Sequence, residues 1–101
     1  MRMILHVSFP VDVFNAAVRD GSVGGKMKKI LGAQKPEAAY FTDYHGQRSG
    51  ILVVEVAKAS DIPALAEPWF LTFNAGVELH PAMTAEDLGA AGLEALGKTW
   101  G

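Results

Sequence analysis

Met3-Ile4-Leu5-His6-Val7-Ser8-Phe9 decides the fold. Met3, Leu5, Val7 and Phe9 fall on one face of an extended chain, and Ile4, His6 and Ser8 on the other. Period two of this kind predicts a half-buried strand. Pro10 ends it. One face is wholly apolar and the other is mixed. A sheet built from such strands needs helices on one side only.

Outward from this strand the pattern changes to a helical one. Val11, Phe14 and Val18 follow an i, i+3, i+7 stripe, and Val23, Met27, Ile30 and Leu31 follow a second. Gly21-Ser22-Val23-Gly24-Gly25 lies between them and predicts a break, because each glycine weakens a helix by about 1 kcal/mol relative to alanine. Gly32 is the expected cap of the second part. Pro36 opens a second strand through Asp43, His45 to Gly50 read as a turn, and Ile51-Leu52-Val53-Val54-Glu55-Val56 is the clearest strand in the chain. These two strands form a hairpin. Ser60 or Asp61 can cap the next helix, whose buried stripe is Ile62, Leu65, Ala66 and Trp69. Pro68 is expected to end or kink it. Val77 to His80 make the last strand, stopped by Pro81. Thr84-Ala85-Glu86-Asp87 starts a terminal helix with a capping threonine and acids in its positive first turn. Gly89 and Gly92 leave that helix weak unless it leans on something.

The order is β-α-β-β-α-β plus a terminal helix. The fold class is therefore α+β, ferredoxin-like, with a four-stranded antiparallel sheet in the spatial order 4-1-3-2. Composition narrows the rest. With 101 residues the chain makes one domain, and half of them are apolar, too many for disorder. Cysteine is absent, which removes disulfides, thiolate nucleophiles, zinc ribbons and iron–sulfur clusters and fits a reducing cytoplasm. A net charge of −2 argues against broad nucleic-acid binding. No apolar run approaches the ~20 residues needed to span a bilayer, and His6, Ser8, Pro10 and Asp12 interrupt any leader-like stretch. Gly21 to Lys26 is no phosphate loop, since Asp20 and Met27 stand where glycine and a hydroxyl residue are required.

Two helices cover one sheet face. The helix-facing set is Leu5, Val7, Leu52, Val54, Val56, Val77 and Leu79. The open face then carries Ile4, His6, Ser8, Ile51, Val53, Glu55, Glu78 and His80. A dry core does not accept such ionisable groups unpaired. A second copy of the sheet laid against this face would make a homodimer with a lined cavity between the sheets.

The opening strand, the strand ending Val53-Val54-Glu55-Val56, Trp69 after a short helix, and the closing Val77-Glu-Leu-His-Pro-Ala-Met with Glu86-Asp87 behind it are the residues of a family pattern. On these the chain resembles the dimeric α/β-barrel superfamily, most of all an uncharacterised bacterial branch of it. The resemblance covers nearly all of residues 1–101 and implies a single barrel-forming domain that pairs with itself. Members include cofactor-free monooxygenases of antibiotic biosynthesis, muconolactone isomerase, polyketide cyclases, haem-degrading monooxygenases and plant stress proteins. It therefore implies a fold more than an activity. The expected function is a small-molecule enzyme or binding protein acting on a hydrophobic compound in the cavity, by cofactor-free monooxygenation, isomerisation or cyclisation. The alternative is a non-catalytic ligand-sensing or protein-interaction module. No cofactor, nucleic acid or membrane partner is expected.

Candidate chemistry follows from the open face. His6 on the central strand can approach Glu55 on one side and Glu78 or His80 on the other. A carboxylate beside an imidazole fixes its tautomer, as a general base requires. The expected catalytic set is His6 as base, Glu55 as its orienter, and His80 polarising a carbonyl or phenol. Ser8, Tyr40 and Glu78 are the expected substrate-binding residues, with Tyr44 on the same strand face as Tyr40. Two imidazoles and two carboxylates could also suit a metal, but only Glu78 and His80 are closely spaced and no metal site is expected.

Overall fold

A computed structural model describes residues Met1–Gly101. Strand β1 (Arg2–Ser8) is followed by helices α1 (Val11–Arg19) and α2 (Val23–Gln34), then by β2 (Ala38–Tyr44) and β3 (Gln47–Glu55). A short 3₁₀ turn (Ala59–Asp61) leads into α3 (Ile62–Phe73), and β4 (Gly76–Pro81) completes the sheet. Helices α4 (Ala85–Gly89) and α5 (Leu93–Trp100) close the chain. The four strands are ordered β2-β3-β1-β4 and every neighbouring pair is antiparallel. This is the expected α+β, ferredoxin-like arrangement.

The alternation predicted for β1 holds at every residue. Met3, Leu5, Val7 and Phe9 are buried, with Leu52, Val54 and Val56 beside them from β3 and its end. Ala17, Ile30, Trp69, Phe73 and Ala75 complete one cluster on the helical side. The aromatic centre is Phe9, whose ring meets Phe14, Phe73 and Trp69 edge-on at 5.0, 5.2 and 5.8 Å. Such contacts stabilise by about 0.5–1.5 kcal/mol each beyond burial. Val77 and Leu79 of β4 pack against the same cluster but are only half-buried, as suits an edge strand.

Several local expectations are corrected. The stripe of α1 is rotated: Ala17 is buried and Phe14 packs on the core, while Val11 and Val18 are about half exposed. Pairing of the Phe14 ring with Phe9 and Phe73 sets this rotation. The break falls at Asp20–Ser22, with Gly21 at φ 80°, and Gly24 and Gly25 lie inside α2. Helix α2 runs past Gly32 to Gln34 and ends on Lys35 in a left-handed conformation. The reason is the Gln34 carboxamide, whose Oε1 accepts from Trp69 Nε1 at 3.2 Å and whose Nε2 donates to the Leu65 carbonyl at 2.8 Å. Stopping at Gly32 would forfeit both bonds to α3. Pro68 does not end α3; the helix continues to Phe73. Ala64, whose carbonyl loses its donor to the proline ring, is exposed and can be hydrated. Asp61 caps backward, accepting from the Lys58 amide at 3.3 Å, and Ser60 makes no cap bond.

The hairpin turn is much shorter than expected. Only His45 and Gly46 form it, both at positive φ (53° and 77°), and Gln47 to Gly50 already belong to β3. Two residues at positive φ match the right-handed twist of paired strands. Arg48, freed from the turn, donates to Asn15 Oδ1 at 2.9 Å and stands 4.6 Å over the Phe14 ring. It fixes the hairpin to α1.

The terminal helix is two helices. The Thr84 cap forms as expected: Thr84 Oγ1 accepts from the Asp87 amide and Asp87 Oδ2 from the Thr84 amide, each at 3.0 Å. Gly92, at φ 73°, separates α4 from α5. From Met83 to Gly101 every residue is exposed. No helix is long and apolar enough to cross a membrane.

Candidate functional site

Register assembles the open face into rows. Tyr40, Ile51, His6 and Glu78 are mutual Cα partners across β2, β3, β1 and β4. Partners in antiparallel strands share a face. Ala38, Val53, Ile4 and His80 form the row on one side; Thr42, Ser49, Ser8 and Gly76 form the row on the other. The face of β2 that carries Tyr40 and Tyr44 is thus the face that carries His6.

His6 is the enclosed group here. Its side chain is 15% exposed, against 62% for Glu78. His6 Nδ1 lies 3.3 Å from Glu78 Oε2, at the weak end of hydrogen-bond length. Tyr44 meets the imidazole edge-on at 4.8 Å between ring centres, and His45 in turn meets Tyr44 at 4.1 Å. When Nδ1 carries the proton and donates to Glu78, Nε2 keeps its lone pair. That is the state of a base rather than an acid.

The remaining expected residues scatter. Glu55 does not reach His6. It stands opposite Arg2, four residue pairs from His6 along β1, and accepts from the Met1 amino group. That amino group also donates to the Val56 carbonyl at 2.6 Å. Arg2 is itself held by Glu37, Nε and Nη2 each donating at 2.9 Å to one carboxylate oxygen. Glu37 raises the Arg2 guanidinium above its ordinary pKa, first by this hydrogen bonding and then by its charge. The Glu55 end of the face therefore carries two ion pairs, Met1 with Glu55 and Arg2 with Glu37, and the pair that forms at His6 is with Glu78. His80 sits beside Ile4, one row from His6, and is exposed. Tyr40 is in the His6 row but beyond Ile51, with its side chain largely in solvent. Ser8 is half-buried beside Ser49.

Two residues of this face were outside the expected set. Tyr44 covers His6, and its signal was its parity with Tyr40. Ser49 is 1% exposed, and its hydroxyl has no hydrogen-bond partner. Assigning residues 45–50 to a turn hid it. A buried hydroxyl without a partner costs about 1–3 kcal/mol.

On one chain the open face is a surface, not a cavity. None of the concave regions is lined by His6, Glu78 or His80. One of them, about 530 Å³, lies between α2 and α3, where Lys26, Lys29 and Thr72 join Ile30, Ala33, Pro68 and Leu71. No three His, Asp or Glu side chains converge closely enough to hold a metal ion. No family model matches the sequence, and no curated protein matches it.

Proposed function

We propose that two copies of this chain pair through their open sheet faces, as the resemblance to dimeric α/β barrels implies, and that the enclosed space takes a hydrophobic, aromatic or polyketide-like small molecule. The observation that carries this reading is the enclosed His6 with Glu78 on Nδ1, set in a face that also bears Ile4, Ile51 and Val53. Apolar groups on an uncovered face favour a cover, and the imidazole and carboxylate require that cover to leave polar space. In this reading Nε2 of His6 takes a proton from a phenol or an acidic carbon, and Glu78 orients the ring and stabilises the imidazolium. Ser8, Tyr40 and His80 contribute hydrogen-bonding groups at the margin, and Glu55 belongs to the ion pairs at the far end.

The test has two parts. Sedimentation should give a dimer at micromolar concentration, and a monomer would sink the reading. Planar phenols and aromatic ketones should then shift the His6 imidazole resonances on titration. His6→Ala should lose at least about tenfold in affinity or turnover, the scale of one hydrogen bond to a charged group, while mass and melting temperature hold. A probe that binds unchanged to the variant would remove His6 from the site. Binding without conversion would favour a ligand-sensing role over catalysis.

A further inference from the structure

The arm from Ala82 to Gly101 has two short helices, and from Met83 onward none of its residues is buried. Leu88, Leu93 and Leu96 are about half exposed, and Trp100 is 84% exposed. Helices shorter than about 12–15 residues are marginal in water unless an apolar face is packed. Here the lengths are 5 and 8 residues. Gly89, Gly92 and Gly97 weaken them further.

The whole molecule carries the same mark. Its radius of gyration is 16.9 Å, against about 13 Å for a compact chain of this length. It exposes 6797 Å², whereas a compact monomer of 10.8 kDa exposes about 5,500 Å², and the excess of about 1,300 Å² surpasses the ~800 Å² each partner gives to a stable interface.

We propose that the arm is an exchanged element, packing its leucines and Trp100 on the body of a second copy of this chain, which returns its own arm in the same way. Three observations select a second copy as the occupant. The surplus area is of the size a two-fold pair needs on each side. The same chain also leaves an open face with Ile4 and Ile51 partly exposed, so the two deficits can close each other under one symmetry operation. The arm also starts at the right place. Ala82 bonds to the Arg2 carbonyl, and Asp87 lies close enough to feel the charge of Arg2, at the end of the open face where Glu55 also stands. A copy laid on that face would lie beside the root of the arm.

The proposal rests on the self-pairing in the reading above, and the experiment separates their failures. An equal mixture of isotope-labelled and unlabelled full-length chains is examined by isotope-filtered NMR. Contacts between chains from the Leu93 and Leu96 methyls and the Trp100 ring are the expected result. A dimer whose arm shows contacts only within its own chain overturns the exchange and leaves the paired faces standing. A monomer overturns both. Leu93→Glu with Leu96→Glu, at two side chains that the single chain leaves exposed, should weaken the dimer at least about 100-fold, the effect expected for two buried leucines. A dissociation constant within threefold of the parent overturns the exchange as well.

Discussion

The two faces of this sheet come from the same strands, one residue apart. On the helical face Leu5, Val7 and Leu52 are fully enclosed, and Met3 and Val54 nearly so. On the open face Ile4 and Ile51 are more than a third exposed and share rows with His6, Glu78 and His80. The helical face holds the chain together by removing apolar area from water. The open face keeps ionisable groups within reach of water or a ligand, at the cost of leaving apolar groups uncovered. A sheet with one covered face thus separates stability from chemistry by parity alone.

The largest expected effect tests the helical face. Trp69→Ala removes a fully buried ring and leaves the Gln34 carboxamide without its donor. Unfolding stability should fall by about 3–5 kcal/mol, read by urea denaturation. A loss below 1 kcal/mol would mean that the covered face does not carry the fold. On the open face Ile51→Ala should be far milder in dilute protein, at most about 1 kcal/mol, since the side chain is already partly in water. If the faces pair, the same variant should lose more at high concentration, and melting curves over a hundredfold range would show it. An effect equal to that of Trp69→Ala at every concentration would erase the distinction between the faces.

The smallest effect lies outside both faces, at the Thr84 cap. Hydrogen bonds from the Thr84 backbone and then its side chain lower the Asp87 carboxyl below its ordinary pKa, with help from the charge of Arg2. Because the folded value is the lower one, the charged form favours the folded cap. That contribution is complete above the ordinary aspartate value of 3.8 and is lost as pH falls through the lowered one. Amide exchange at Thr84 and Asp87 should speed up in that acid window only. Asp87→Asn should make exchange at Thr84 independent of pH there, apart from the intrinsic chemistry.

Much of the fold was legible because β1, β3 and α3 have patterns with one solution. Period two in Met3–Phe9 sorted the faces correctly at every residue, and the β-branched run from Ile51 identified its neighbour. What failed was decided by contacts far away in sequence. The end of α2 depends on a bond from Gln34 to Trp69, and the rotation of α1 depends on rings at Phe9 and Phe73. The site was legible in kind and not in pairing. Topology put a carboxylate on each side of His6, but only register shows that Glu78 is opposite it while Glu55 is opposite Arg2. Ser49 escaped because six turn-like letters in a row, His45 to Gly50, conceal that two residues suffice to reverse the chain.

The position of Tyr44 has a consequence for time rather than place. Its ring covers His6, yet the residue itself belongs to the last pair before the hairpin turn, opposite Gln47, on an edge strand exposed from Tyr40 onward. Hairpin ends form and fray on the scale of microseconds. Unpairing that single terminal step lifts the ring without disturbing Phe9, Trp69 or any other member of the core. Uncovering the imidazole therefore asks for this terminal pair to open against the Arg48 contacts to α1, and not for the core to unfold.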